Sequence, residues 1–372
     1  MKRPWFFLIS ALLLFSAISS RDTIASLDRA MVHAVGIDST DDGYTVTLQV
    51  FRPEGAGTDT QLDPGKANIF VISAAAPTVE EAMSVCENRL GEFLFIGHCQ
   101  VIVLGKDTEL GEPERLFSYF LRSKESYMGV RLACAEGSAE ELLSAELSEG
   151  AVAAQNIVNI IKRHTENSAS VECTLLDTLS CGGGASVMPV LKLLEPSKKQ
   201  SDSSESGSEP PQTVAADGAE VFVDGRRSMK LSSEECSALA RFGSDIRSTV
   251  IEFDTPQGAS AVTVRDDCFK TYAEKRGDRI SVRFEIGVQI KNDQSLERLC
   301  PDSDALAEKC EEEIETRCRR LISRCLEEGA DLFRICETVR SRWPQVWLDC
   351  GGDVREILSL CDIETEVICR IK

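Results

Sequence analysis

Ser197 to Pro211 reads SKKQSDSSESGSEPP, a Ser-rich run that offers no apolar side chain to a core and ends in two prolines. Such a composition makes a linker or an exposed loop. A chain of 372 residues is too long for one core of ordinary size. Working outward from this run, the sequence divides into an N-terminal domain over 20–196, a linker over 197–217 and a C-terminal domain over 218–372, each of normal domain size.

On the N-terminal side, Tyr44 to Phe51 alternates apolar and polar residues: Tyr44, Val46, Leu48 and Val50 share one face, and Thr45, Thr47 and Gln49 the other. A half-buried strand follows from that period. Phe93 to Leu104 is apolar on both faces and predicts one deeply buried strand. Thr78 and Glu81 stand at capping-box spacing ahead of Ala82, Met83, Cys86 and Leu90, and Gly91 is placed to end that helix. Further along, 112–122 predicts a helix, 127–135 a strand, and Ser138 with Glu141 the cap of another helix.

On the C-terminal side, Glu220 to Asp224 predicts a short strand, and Ser232 with Glu235 opens a helix. Val282, Phe284, Ile286, Val288 and Ile290 alternate more regularly than any other segment. From Ser303 to Glu328, Leu306, Cys310, Ile314, Leu321 and Cys325 recur at helical intervals between charged residues, which predicts one long amphipathic helix. A second helical segment covers 330–340, and alternation over 363–371 predicts a closing strand. The expected fold class is α+β: two mixed α/β domains with largely antiparallel or mixed sheets.

Composition narrows the function. Hydrophobic residues make up 42% and charged residues 27%, the balance of a folded protein. A formal charge of −20 repels phosphate backbones, so no nucleic acid is expected as a partner. At the N-terminus, Lys2 and Arg3 precede an apolar run from Trp5 to Ile18, too short for an ordinary membrane span and suited to a secretory signal over 1–19. Ala17 and Ser19 stand at signal-peptidase spacing, which makes Ser20 the first mature residue; an uncleaved anchor is the alternative, and both export the rest of the chain.

The sequence has fifteen cysteines, an odd count without a CxxC. Cys310, Cys318 and Cys325 are spaced seven and eight residues apart on one predicted helix. That spacing separates their Cα atoms by about 10–12 Å, beyond disulfide reach of one another. They read as small core residues, and the usage suggests a reducing habitat.

Chemistry-bearing motifs are sparse. His33, His98 and His164 are scattered without HExxH or zinc spacing, and phosphate-loop, nucleophile-elbow and dinucleotide fingerprints are missing. Asp38 to Gly43 begins like a calcium loop, but Gln49 stands where the bidentate Glu belongs, so a turn entering the strand accounts for it. Cys181 to Gly184 lacks the strand–loop–helix frame of an anion cradle. The acidic pairs Asp302/Asp304 and Glu311 to Glu313 read as solvated helix faces. No catalytic residue, cofactor or metal is expected.

Several segments in order resemble the Ger(x)C family, the C subunits of spore germinant receptors. His33-Ala-Val-Gly-Ile-Asp38 with Gln49-Val-Phe51 is similar to its opening strand pair, and Glu92 to His98 running into Val101–Gly105 to a later strand. Val187-Met-Pro189, Ala219 to Val223, Gly329-Ala-Asp331-Leu-Phe333, and Trp343-Pro344 with Trp347 continue the match. The resemblance implies a non-enzymatic subunit outside the spore's inner membrane, acting with membrane-embedded A and B subunits in response to small nutrients. Members of that family are usually lipoproteins. Here Ser20 occupies the place of the lipidated Cys, and a hydroxyl cannot form the thioether. A free extracytoplasmic ligand-binding protein is the competing expectation, and an envelope hydrolase has no motif in its favour. Gly97 and His98 read as packing residues, Asp331 as a local cap, and Trp343 and Trp347 as either interface anchors or core.

Titration of the unfolded, unreduced protein with a thiol reagent is expected to find most of the cysteines free; a count of only a few would contradict the core-residue reading.

Overall fold

The computed structural model of the chain describes residues 29–51, 69–145, 153–181, 184–194, 213–243, 248–255, 258–290 and 303–371. The signal segment, the Ser-rich run, Cys300 and Asp302 fall outside them.

Asp41 and Asp42 turn the chain between β1 (Arg29–Thr40) and β2 (Gly43–Phe51), whose antiparallel register closes at Thr40↔Gly43. The former calcium-loop candidate is thus a hairpin. β3 (Ile69–Ala76) extends the sheet beyond β2. On its other side β1 takes parallel partners, first β4 (Phe93–Phe95) and then β5 (Val101–Leu104). The expected single strand over 93–104 is interrupted by a 3-10 turn at Ile96–His98. Gly97 lies in this turn, where an added Cβ would come within 2.7 Å of the Phe95 ring. β6 (Arg131–Ala135) and β7 (Ala185–Leu194) follow in parallel. The strand expected over 127–135 starts later than expected because Tyr127 to Val130 makes a turn, Val130 N–H donating to the Tyr127 carbonyl at 3.1 Å.

Both faces of this sheet are covered. One face packs on α1 (Val79–Leu90), α2 (Pro113–Leu116) and α3 (Ser118–Arg122), around Ile37, Leu48, Met83 and Phe120. The expected helix over 112–122 is therefore two short ones, separated at Phe117. The other face packs on α4 (Ala139–Ser144) and α5 (Ala153–Glu166), around Val103, Leu143 and Ile157. This corrects the half-buried reading of β2: Thr47 is 0% exposed and Gln49 2%. A buried amide side chain must find partners. Gln49 does so between the two helices, donating to the Leu143 carbonyl at 3.2 Å and accepting from the Ala154 N–H at 3.0 Å.

Asp38 has a comparable task. Its carboxylate accepts from the N–H groups of Ala139 (2.8 Å) and Glu140 (2.9 Å) and from the Ser138 hydroxyl (3.2 Å), at the start of α4. The chain's own anion thus fills that helix terminus, where orphaned amides favour negative charge. Gly105 lies against it: a Cβ there would sit 1.9 Å from the Asp38 carboxylate.

After the Ser-rich run the chain returns to the same sheet. β8 (Thr213–Val223) pairs antiparallel with β7 from Leu194↔Thr213 to Ala185↔Val223, and β9 (Arg226–Leu231) turns back on β8. Asp224 (φ 50°) and Gly225 (φ 75°) make that turn in the left-handed conformation a tight hairpin requires. Between β6 and β7 the chain adds α6 (Leu175–Ser180), and after β9 it forms α7 (Ser233–Ala240), opened by a reciprocal Ser232/Glu235 capping box.

The second sheet runs β10 (Ser248–Thr255), β11 (Gly258–Arg276), β12 (Arg279–Ile290), β13 (Cys361–Ile371), antiparallel until β13, which lies parallel to β12. Parallel neighbours need a crossover. It begins with α8 (Ser303–Glu328), whose Leu306, Cys310, Ile314, Cys318, Leu321 and Cys325 are all buried in one cluster with β12 and β13. Val221, Met229 and Leu231 of the β8–β9 hairpin belong to the same cluster, so the two sheets share a core. Also buried, Arg241 beyond α7 forms an ion pair with Asp266 of β11.

Asp38→Ala is expected to lower the unfolding free energy by about 1–2 kcal/mol, the usual cost of a lost helix cap, measured by urea denaturation.

Candidate functional site

The crossover continues past α8 through α9 (Ile335–Arg342), α10 (Pro344–Asp349) and α11 (Val354–Ser359). Between these helices and the side of the first sheet made by α6, β7 and the β8–β9 turn lies a cleft of about 660 Å³.

One wall begins where α8 stops. Gly329 (φ 72°) takes the left-handed conformation after the last helical residue, and Ala330 N–H returns to the Cys325 carbonyl at 2.8 Å. Asp331 then gathers the start of α9: one carboxylate oxygen accepts from Ile335 N–H (3.0 Å) and Phe333 N–H (3.3 Å), the other from Cys336 N–H (2.6 Å). The local-cap reading of Asp331 matches this geometry. Between the amides that Asp331 holds, Arg334 has a left-handed backbone (φ 58°), a strained state for a residue with a Cβ. Its guanidinium is largely exposed and stands 4.0 Å from Glu337.

Trp347 lines the cleft, half-buried, with the Arg340 guanidinium 5.8 Å from its ring centroid and Gly352 against its indole edge. Trp343 is also half-buried and packs on the shared core, to which the Phe333 and Phe242 rings, 4.7 Å apart, also belong. The large exposed side chain of this helical segment is Leu348, at 68%.

The opposite wall carries Asp177, Cys181 and Asp224. Most charged groups in the cleft have work elsewhere: Asp177 caps α6 through Thr174, Asp353 caps α11 through Glu356 N–H at 3.0 Å, Arg355 donates to the Glu328 carbonyl at 2.6 Å, and Glu172 pairs with Arg131. Arg334, Glu337, Arg340 and Asp224 are exposed lining residues, Arg334 facing Glu337 and Arg340 lying over Trp347. Burial raises the Cys181 thiol above its ordinary range, and its sulfur donates to the Asp177 carbonyl at 3.2 Å. No histidine stands among the described lining residues. The arrangement suits holding a mixed-charge group or a partner loop; among the described lining residues no base stands beside a nucleophile.

The histidines lie on other elements. His33 on β1 stacks on Phe51 at 5.6 Å, and His98 meets Phe95 edge-on at 5.4 Å. Burial, with a smaller contribution from the nearby His98, holds the His33 imidazole below its usual range. His164 lies apart on α5. Cys181 follows helix α6 and precedes strand β7, the reverse of an anion-binding strand–loop–helix order. Glu311, expected as solvated surface, instead accepts the Cys369 N–H at 2.7 Å. Arg334, Arg340 and Asp224 were not legible as a set; the Asp-Gly pair at 224–225 was a usable hairpin signal.

Two family profiles match this chain: one described as the N-terminal domain of spore germination proteins over residues 26–196, the other as the C-terminal region of spore germination B3/GerAC-like proteins over residues 217–372. The chain belongs to the GerAC-like family of spore germination proteins. YfkR of Bacillus subtilis (strain 168), provisionally named a spore germination protein, is 19% identical over 278 residues, covering 73% of this chain and 70% of its own. The crystal structure of the GerBC protein shares the fold, with a TM-score of 0.53 and 17% identity over 91% of this chain and 96% of that one. In this GerAC-like chain residues 172–187 of the first matched region, together with Val223 and Asp224 of the second, face residues 329–355 of the second across the cleft.

Asp331→Ala is expected to cost about 1–3 kcal/mol, since it orphans amides at a half-buried helix start, whereas Arg334→Gly is expected to stabilise by up to about 1 kcal/mol through relief of the left-handed strain; thermal melts of the two variants should shift in opposite directions.

Proposed function

We propose that this GerAC-like protein is the non-enzymatic C subunit of a nutrient germinant receptor, held at the outer face of the spore's inner membrane through contacts with membrane-embedded A and B subunits. The observation that carries this reading is the cleft: it opens between the two family regions and shows exposed charges of both signs, and among its described lining residues no acid, base and nucleophile stand together for turnover. Among the described residues no helix is long and apolar enough to cross a membrane. Retention at a membrane therefore falls to the segment 1–19 or to the partner subunits, because Ser20 cannot carry a lipid thioether. The division into 20–196 and 218–372 about a 197–217 linker is part of the same proposal, with the β8–β9 hairpin as the second domain's addition to the first sheet.

The second reading, a free extracytoplasmic ligand-binding protein, is favoured by Ser20 together with the largely exposed guanidinium of Arg334 in a cleft of small-molecule size.

Deletion of the protein is expected to abolish germination in response to at least one nutrient, and fractionation is expected to recover it with membranes, its N-terminal residue identified by mass spectrometry. An unchanged response to every nutrient tried would count against the subunit reading, and recovery in the soluble exported fraction would favour the second.

A further inference from the structure

Cys310 lies on the face of α8 that is turned to the second sheet, and Cys369 on the alternate positions of β13 that point to the same core, with Val367 two residues before it. Cys310 is 0% exposed and Cys369 9%. Helix and strand are clamped at this level, because Glu311, next to Cys310, accepts the Cys369 N–H at 2.7 Å. The two thiols share a hydrogen bond. Other buried thiols bond differently: Cys99 to the Val101 carbonyl, Cys173 to the Thr178 hydroxyl, Cys361 to the Ile357 carbonyl.

We propose that Cys310 and Cys369 are a disulfide-forming pair, closed by exchange with a small disulfide oxidant while the chain folds, and that the bond staples α8 to the β13 edge. Exchange takes place before α8 is seated, so either thiol can start it. One gives up its proton and attacks one sulfur of the oxidant, breaking its S–S bond and releasing a small thiolate. The other gives up its proton and attacks the protein sulfur of the mixed disulfide, and a second small thiolate leaves. Two thiols have lost two electrons and two protons, and one oxidant disulfide has become two thiols. Both protein sulfurs are covered once α8 is seated, so exchange belongs to folding and the closed bond is shielded from reductants. Closing a loop of about 60 residues removes entropy from the unfolded chain. Only the cellular setting rests on the chain being exported; the pairing rests on the fold.

The test is to unfold and reduce the full chain, refold it with reduced and oxidised glutathione, alkylate the remaining thiols and map unreduced peptides by mass spectrometry. The expected result is a Cys310–Cys369 cross-linked peptide, two fewer alkylated thiols than in the reduced chain, and a melting temperature that falls by about 5 °C or more on reduction with dithiothreitol. C369A should lose that dependence on dithiothreitol. Alkylation of both thiols in protein with a native near-ultraviolet circular dichroism spectrum, or pairing of Cys310 with another cysteine, would overturn the proposal, and the mapping needs no variant to decide it.

Discussion

Burial of the α8 stripe against the four-stranded sheet is the contact on which the C-terminal half depends. Leu306, Ile314 and Leu321 are each almost fully buried, at about 1.5–3 kcal/mol for a side chain of that size. Cys310, Cys318 and Cys325 fill the same stripe with smaller volume, which lets the helix lie close to β12 and β13. Without that contact β13 would have no reason to pair parallel to β12, because a parallel neighbour is reached only through a packed crossover. The crossover in turn delivers the Gly329 turn, Asp331 and the helices that wall the cleft.

Acidic side chains are used here as internal fittings as well as surface charge. Asp38 fills the amide end of α4, Asp331 that of α9, and Asp353 that of α11, while Glu311 ties helix to strand. Each satisfies backbone groups that would otherwise be orphaned at an element end. Part of the −20 charge is therefore committed to the fold. The cleft is left with a few charges of both signs, which favours contact with a mixed-charge partner over binding to an anionic polymer.

Legibility in the sequence followed the range of the physics. The long helix over 303–328 and the strand ending at Ile290 stand in the structure where the periodicity put them, because amphipathic period is a local property. The Ser232/Glu235 box is present in full. β10 and β11 went unread: β11 turns charged residues such as Arg265, Lys270 and Glu274 outward, and a register shift between Asp266 and Cys268 breaks its alternation. In β2 the polar face was mistaken for a solvated one, since only the fold brings Leu143 and Ala154 to Gln49. Of the cleft, Cys181, Asp331 and Trp347 stand out in the sequence, and Arg334, Arg340 and Asp224 do not, because nothing in their spacing sets them across from one another.

By itself, then, the sequence determined the mixed α and β content, the helix starts, the polar run at 197–211 and the family likeness, all carried by residues within a few turns of one another or by motifs in order. Tertiary structure alone decided that β8 returns across that run to complete the first sheet, that residues 172–187 face 329–355 over a cleft, and that Cys310 meets Cys369. These are contacts between segments far apart in the chain. Their partners are chosen by which buried faces can be covered together, and no local pattern encodes that choice.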